Sequence, residues 1–313
     1  MTQVVLIADF DDPDVLAIAS RLGERGVACK WIKLGLEYDA YSVLISTECC
    51  EVEAAGVSLD IEEVASTDLI LYRRWRSSPP GPVVQASITS DPWRFTEREW
   101  ESAFSTLLER WSFASRPRWS RAPLQPPTKL TQLRRCEMAG VRVPSYEVST
   151  RPRRFEGELV TKALSLNQSV GDGRFVTRSV HDSGLEGIFD STQPCPVLLQ
   201  RLVEVKVEIR AIYSFGSIDA VAQMRTASNG DVDIRLTNVE RRRWAVSDNL
   251  REMLEIVSSV LDLELFSADV LIDEAGDSWL IDVNHDGLIA PVDDQDATLL
   301  GAAVAGIINF VCV

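Results

Sequence analysis

The chain has 313 residues, 45% hydrophobic and 25% charged, with a formal net charge of −15; this is enough for a full core and two or three subdomains. So acidic a balance argues against a phosphate-backbone binder, which needs clustered Lys and Arg, and so against nucleic acid as a main partner. Its six Cys include no CxxC pair and its His number two, which removes zinc spacing and a disulfide framework and leaves reduced thiols.

At the N-terminus no basic stretch precedes an apolar core, so no secretory signal is read and a cytoplasmic location is expected. Val4 to Phe10 forms a short apolar run, Asp14 to Arg25 carries apolar residues at helical spacing, and Val27 to Leu34 resumes strand character. Strand, helix, strand at this spacing predicts a parallel α/β layer. Ser42–Ser46 and Asp68–Tyr72 add strand candidates, so an open α/β domain is expected over residues 1–115. It contains neither GxGxxG nor a Walker A loop, so a dinucleotide or P-loop site is not supported.

Residues 76–94 and 114–127 are rich in Pro, Ser, Arg and Trp and read as loops. Between them Thr96 to Trp111 is an amphipathic helix, with Thr96 as N-cap and Glu99 three residues later. The tryptophans around it, Trp93, Trp100, Trp111 and Trp119, read as core or interface packing. Thr128 opens a helix that Gly140 ends. Strands follow at Leu159–Leu164, Val197–Val203, Val207–Phe215 and Ala220–Met224, with a hairpin turn at Phe215-Gly216. Ser165 to Phe175, with Gly171 and Gly173, has the composition of a lid loop. Ser247 to Leu263 is a helix, and the apolar run from Leu299 to Val313 is too short to cross a bilayer and reads as a buried final helix.

The densest chemistry lies between those last two helices. Phe266 to Asn284 reads as a β-hairpin, two apolar-rich runs flanking Asp-Glu-Ala-Gly-Asp. With Ala275-Gly276 at the centre of the turn, paired positions sum to 551 and Asp269 lies opposite Asp282, with Asn284 two residues on and on the same face. Like charges opposed across a hairpin destabilise it unless something neutralises them. A hard cation such as Mg²⁺ does so, taking carboxylate and carbonyl oxygens and keeping positions for phosphates. The competing arrangement turns one Asp, or both, to solvent in a shifted register.

The ordered series of Lys129, Lys162, Gln200 to Val203, Glu208-Ile-Arg210, then Asp269, Asp282 and Asn284 resembles the ATP-grasp superfamily. Tyr72-Arg73-Arg74-Trp75 is similar to the aromatic-Arg-Arg motif of its graspetide (microviridin-type) branch, a RimK-like group of peptide-modifying ligases, and Asp233-Ile-Arg235 to that branch's Asp-x-Arg segment. The likeness spans nearly the whole chain and implies an α/β ATP-grasp fold. Its parts would be the N-terminal domain 1–115, a central lid subdomain 116–196, and a C-terminal subdomain 197–313 with the metal site. It also implies ATP and one or two Mg²⁺ as cofactors and a precursor peptide, leader and core, as partner. The activity implied is activation of Glu or Asp side chains and closure of lactones or lactams; a homodimer is expected by the same resemblance.

Residue by residue, the resemblance puts Lys129 and Lys162 on the ATP phosphates, and Gln200, Arg201, Leu202 and Val203 along the adenine. Glu208 would take the ribose, and Asp269, Asp282 and Asn284 the metal. Arg210 and Arg235 would hold the reacting carboxylate or phosphate, and Arg73, Arg74 and Asp233 the substrate. For Arg73 and Arg74 a structural salt bridge to the neighbouring domain is an equal contender. Arg241 to Arg243 form a basic island that either holds an acidic peptide or the γ-phosphate, or is a solvated loop. Three departures stand out: Asp282 where the family usually has Glu, Arg201 where Glu is common, and His285-Asp286 where many relatives continue with Pro. Two other readings stay open, a ligase of the same fold acting on a free amino acid or small peptide, and a nucleotide-binding subunit without catalysis.

Overall fold

A computed structural model describes residues 3–34, 40–73, 92–114, 118–121, 127–150, 158–162, 169–170, 173–174, 178–180, 196–225, 239–285 and 297–312. The first layer forms as its pattern requires. β1 (Gln3–Asp9) is buried along almost its whole length, as a central parallel strand covered on both faces should be. α1 (Pro13–Glu24) opens on Asp12, whose carboxylate accepts from the N–H groups of Asp14 and Val15 at 2.9 and 3.2 Å. β2 (Ala28–Leu34) returns parallel to β1.

β3 (Tyr41–Ile45), β4 (Cys50–Ala54) and β5 (Val57–Asp60) make a small antiparallel sheet, followed by α2 (Ile61–Ser66). The hairpin between β4 and β5 turns on Ala55 and Gly56, with φ of 51° and 78°, the positive pair that matches strand twist. β6 (Leu69–Tyr72) then pairs parallel to β1 on its other side.

α3 (Pro92–Ser112) begins four residues before the expected Thr96 cap. Proline suits a first helical position because its φ is already helical and it has no N–H to leave unpaired. Thr96 therefore lies inside the helix. The expected core role of the tryptophans holds for Trp111, 1% exposed with its indole N–H donating to the Cys50 carbonyl at 3.4 Å. Trp100 likewise packs on Tyr41 and Phe104.

β7 (Arg118–Trp119) completes the parallel sheet in the order β2-β1-β6-β7. The N-terminal layer thus runs one strand past residue 115. α4 (Lys129–Met138) is capped by Thr128. β8 (Tyr146–Ser149), β9 (Leu159–Lys162), β12 (Arg178–Val180) and β13 (Val197–Arg201) form a second, antiparallel sheet in the order β12-β9-β13-β8. Within the segment expected as a lid, β10 (Ser169–Val170) and β11 (Gly173–Arg174) pair as a two-stranded ribbon. β13 belongs to this middle sheet, so the division expected after residue 196 also falls one strand early.

The third sheet has the order β16-β15-β14-β17-β18 and is antiparallel throughout. Its strands are β14 (Val205–Ser214), β15 (Ser217–Arg225), β16 (Val239–Trp244), β17 (Leu265–Asp273) and β18 (Ser278–Asn284). α5 (Asp248–Leu261) joins β16 to β17, and α6 (Ala297–Cys312) ends the described chain. The expected Phe215-Gly216 turn joins β14 to β15, with φ of 47° and 81°.

Period-two alternation gives this sheet two faces. Ile209, Ala211, Phe266, Ala268 and Val270 point into a core with α5 and with Cys136 of α4. On the other face, Ile212, Val221 and Leu265 join β1, α1 and α6 in one apolar cluster. The N-terminal and C-terminal sheets therefore share a core through α6. Residues 118–121 tie them a second time: the Glu264 N–H donates to the Ser120 carbonyl at 2.8 Å, Arg118 pairs with Glu264, and Arg121 bridges to Leu263. Among the described residues no helix is long and apolar enough to cross a membrane.

Candidate active site

The same alternation that buries Ile209 and Ala211 turns Glu208 and Arg210 to the opposite face of β14. Arg210 stands across from Asp269 on β17, and Asp269 across from Asp282 on β18. One row of the sheet thus reads Arg243, Val221, Arg210, Asp269, Asp282 from edge to edge. The row towards α6 brings Asn284 opposite Ser267. In the row on the other side Glu208 has Gln223 and Leu271 as its neighbours. The two carboxylates expected to face each other do so, with Asn284 two residues on.

How the hairpin achieves this differs from the expectation. Gly276, with φ 86°, donates its N–H to the Asp273 carbonyl at 3.0 Å, and the Asp273 N–H donates in turn to the Asp277 carbonyl at 3.1 Å. The loop therefore has three residues with Ala275 at its centre, not Ala275-Gly276. Pairing next to the turn follows that centre, Ile272 with Ser278 and Val270 with Leu280. A bulge at Ile281 then adds one residue to β18 and brings Asp282 opposite Asp269. Leu280 and Val283, three residues apart, are both buried in the same core, which a regular strand cannot do. The extra residue switches the side-chain parity, so Asp282 and Asn284 join Asp269 instead of facing the core.

Cations answer the carboxylates directly. Arg210 holds Asp269 with two parallel bonds, Nε to Oδ1 at 3.0 Å and Nη2 to Oδ2 at 3.2 Å. Lys129, the first residue of α4, places its Nζ 3.1 Å from Asp282 Oδ1. The four side chains are 23 to 32% exposed, so they are half-buried yet reachable. The N-terminus of α4 adds its partial positive charge at the same corner. Among the described residues no group of three or more His, Cys, Asp or Glu stands together. The donor set is instead two carboxylates and a carboxamide on one face, which fits Mg²⁺, an ion that keeps several positions for water and phosphate.

The hinge strand lies in the middle sheet. Gln200 is 2% exposed, and among the described residues its Nε2 has no hydrogen-bond partner. Arg201 donates its N–H to Ser145 and Leu202 its N–H to Glu158, at 2.8 and 2.9 Å. Of the expected hinge, this leaves the Val203 N–H without a partner among the described residues. Lys162 ends β9, paired in register with Leu198 of the hinge strand.

Other expected residues lie elsewhere. Arg73 is 1% exposed, pairs with Asp14 and lies 3.9 Å from an oxygen of Asp12. These partners belong to its own layer, not to a neighbouring domain, and reaching a substrate would require it to leave them. Arg74, Asp233 and Arg235 lie outside the described residues. The basic island is split by strand alternation: Arg241 and Arg243 share the face of Asp269, while Arg242 pairs with Ala222 on the core face. Arg243 reaches Asp219 at 3.0 Å. Two polar residues that sequence reasoning did not single out, Gln223 and Ser267, are 5% and 4% exposed and lie on the acidic face. Their signal was available in the alternation, since each occupies an out-of-core position in a strand whose neighbours are apolar.

No family model matches the chain, and no curated protein matches its sequence. Solved structures do. The macrocyclase MdnC of Microcystis aeruginosa MRC, bound with precursor peptide MdnA, superposes with TM-score 0.72 at 15% identity, over 99% of this chain and 100% of that one. The ATP-grasp ligase PsnB, complexed with a phosphomimetic variant of its minimal precursor, Mg and ADP, gives TM-score 0.74 at 19% identity, over 97% and 98%. A RiPP-associated ATP-grasp ligase of Chryseobacterium gregarium, in complex with ADP and a leader and core peptide, gives 0.71 at 14%, over 100% and 97%. The likeness covers nearly the whole length of each chain, and the chain has the fold of the ATP-grasp ligases.

Proposed function

We propose that this protein is an ATP- and Mg²⁺-dependent ligase that activates Glu or Asp side chains of a ribosomal precursor peptide and joins them to Ser, Thr or Lys of the same peptide. The observation that carries this reading is the row of Arg210, Asp269 and Asp282 with Lys129 set against its end. Such a row suits phosphoryl transfer, in which positioning and charge neutralisation do most of the work. ATP would supply the γ-phosphoryl group to a carboxylate oxygen, and the Ser, Thr or Lys nucleophile would displace phosphate from that carbonyl as its own proton is lost.

The chain's residues have separable parts in this scheme. Asp269, Asp282 and Asn284 would hold the metal. Lys129 and Lys162 would meet the phosphates as point charges. The Gln200–Val203 strand would line the adenine, with the Val203 N–H as donor, and Glu208 would take the ribose. Arg235 would hold the reacting carboxylate or phosphate, where a planar guanidinium matches two oxygens, and Arg210, its fork on Asp269, would orient that metal ligand beside the reacting group. Arg74 and Asp233 are assigned to the substrate side, while Arg73, buried against Asp12 and Asp14, ties β6 to α1 within its own layer. A homodimer in the cytoplasm is part of the same proposal, and sedimentation of the purified chain tests the dimer.

Likeness in fold favours the peptide substrate over the small-molecule alternative. The D-cycloserine synthetase DcsG superposes with TM-score 0.54, against 0.71 to 0.74 for the peptide-associated ligases. Incubation of the chain with ATP, Mg²⁺ and a precursor peptide encoded beside its gene, read by intact mass, is the direct test. Loss of one water per bond closed supports cyclisation. Unchanged peptide mass with turnover on free amino acids points to the small-molecule ligase, and absence of nucleotide turnover with every acceptor refutes both.

A further inference from the structure

We propose that Lys129 and Arg210 act as internal counter-cations for Asp282 and Asp269, so that the divalent metal and the nucleotide polyphosphate bind as one unit. The proposal rests on the metal and nucleotide reading above and adds the order and the coupling.

Each carboxylate already has a cation of its own. Arg210 covers both oxygens of Asp269 in a two-bond fork, and Lys129 lies 3.1 Å from Asp282. Two positive and two negative side chains sum to zero. A divalent ion entering alone would have to displace one of these cations from its carboxylate, and would leave uncompensated positive charge among half-buried side chains. There the effective dielectric is below that of water and charge imbalance costs more. Entry together with a polyphosphate removes the conflict. The ammonium of Lys129 exchanges Asp282 for a phosphate oxygen, and Asp282 exchanges the ammonium for the metal.

The two cations differ in how readily they move. Lys129 is a point charge on a flexible four-carbon stem, placed at the N-terminus of α4, where anions are favoured. Arg210 is a rigid fork on the strand adjacent to its partner, and its pair fixes the plane of the Asp269 carboxylate. Lys129 is therefore the exchanging partner and Arg210 the positioning residue. By linkage, whatever factor the nucleotide contributes to metal affinity the metal returns to nucleotide affinity.

Calorimetry on the full chain tests this, with Mg²⁺ titrated alone and ADP titrated with and without Mg²⁺, in wild type and in Lys129→Met. The expected result is weak binding of Mg²⁺ alone to wild type and tightening of ADP by Mg²⁺ of roughly 10- to 100-fold, within the usual range of coupling between sites. Lys129→Met should bind Mg²⁺ alone more tightly than wild type and show a smaller Mg²⁺ effect on ADP. Equal binding of Mg²⁺ alone by the two proteins, with ADP still bound, overturns the counter-cation role and leaves the proposed function standing. Failure of wild type to bind ADP at any Mg²⁺ concentration overturns both. Arg210→Lys, which keeps the charge and loses the fork, should retain the resistance to Mg²⁺ alone but weaken Mg²⁺ binding in the presence of ADP.

Discussion

Two glycines of α6 make a matched pair with opposite expected outcomes. A Cβ added to Gly306 would lie 2.0 Å from the Ser214 carbonyl oxygen and 2.5 Å from its Oγ. The same serine hydroxyl donates to the Ala303 carbonyl at 2.8 Å. Gly306→Ala must therefore push the helix away from β14 and break that bond. Overpacking of this kind costs about 1–3 kcal/mol, and loss of a buried hydrogen bond adds about 1 kcal/mol. The sum is about 2–4 kcal/mol, or a fall in melting temperature on the order of 5 °C. Gly301, exposed on the same helix, has no atom within 4 Å of where an added Cβ would lie. There the substitution to Ala should stabilise by roughly 0.5–1 kcal/mol through helix propensity alone. Urea unfolding followed by far-UV circular dichroism separates the two. A Gly306→Ala protein as stable as wild type, or a Gly301→Ala protein that is the weaker of the pair, would refute the close approach of α6 to the third sheet.

Three further outcomes are expected. Asp269→Asn should abolish ADP formation in the presence of peptide while leaving the circular dichroism spectrum unchanged; normal turnover would remove the metal site from this hairpin. Burial pushes the Cys136 thiol from 9.0 up to about 11, so the folded state keeps its proton over a range where the unfolded chain has lost it. The stability this represents is complete below pH 9 and declines as pH rises towards 11, and Cys136→Ala should flatten the stability profile over that window. At the hairpin, bonds from the Trp279 indole and the backbone N–H of Asp277 hold the Asp273 carboxyl below its ordinary range. Its contribution is present above the unfolded value and is lost as pH falls through the lower folded one, so Asp273→Asn should weaken acid sensitivity when unfolding is followed by Trp fluorescence.

What the sequence displayed plainly was whatever a fixed period determines. In β17 the order Phe266, Ser267, Ala268, Asp269, Val270 alternates cleanly, so the face of Asp269 could be read from residue types. In β18 the run Leu280, Ile281 and Val283 is apolar on both sides of the pleat. Residue types there permit either register, and the bulge that places Asp282 was hidden even though the expected pairing was correct. β4 and β5 were missed because Glu51 and Glu53 dilute the apolar pattern and Ala55-Gly56 is a weak turn signal compared with Asn-Gly or Asp-Gly. Arg73 carries a recognisable motif, but the partners that bury it, Asp12 and Asp14, stand in α1 and its cap, too distant in sequence for any local pattern to connect. The same distance concealed the contact between Lys129 and Asp282.

The extra residue at Ile281 sets unequal tolerances to changes of chain length along the hairpin. An insertion among residues 274–276 lengthens an exposed loop and leaves every pair from Ile272 with Ser278 inward as it was. Insertion of a single residue between Ser278 and Ile281, with the bulge kept, instead reverses everything after it, carrying Asp282 and Asn284 towards the apolar core and Val283 out to the acidic face. Removal of one residue there only replaces the bulge by a regular strand, with Asp282 still opposite Asp269. Related chains with the same chemistry should therefore vary freely in the loop, yet between the turn and the second carboxylate they should lose the bulged residue more readily than gain another.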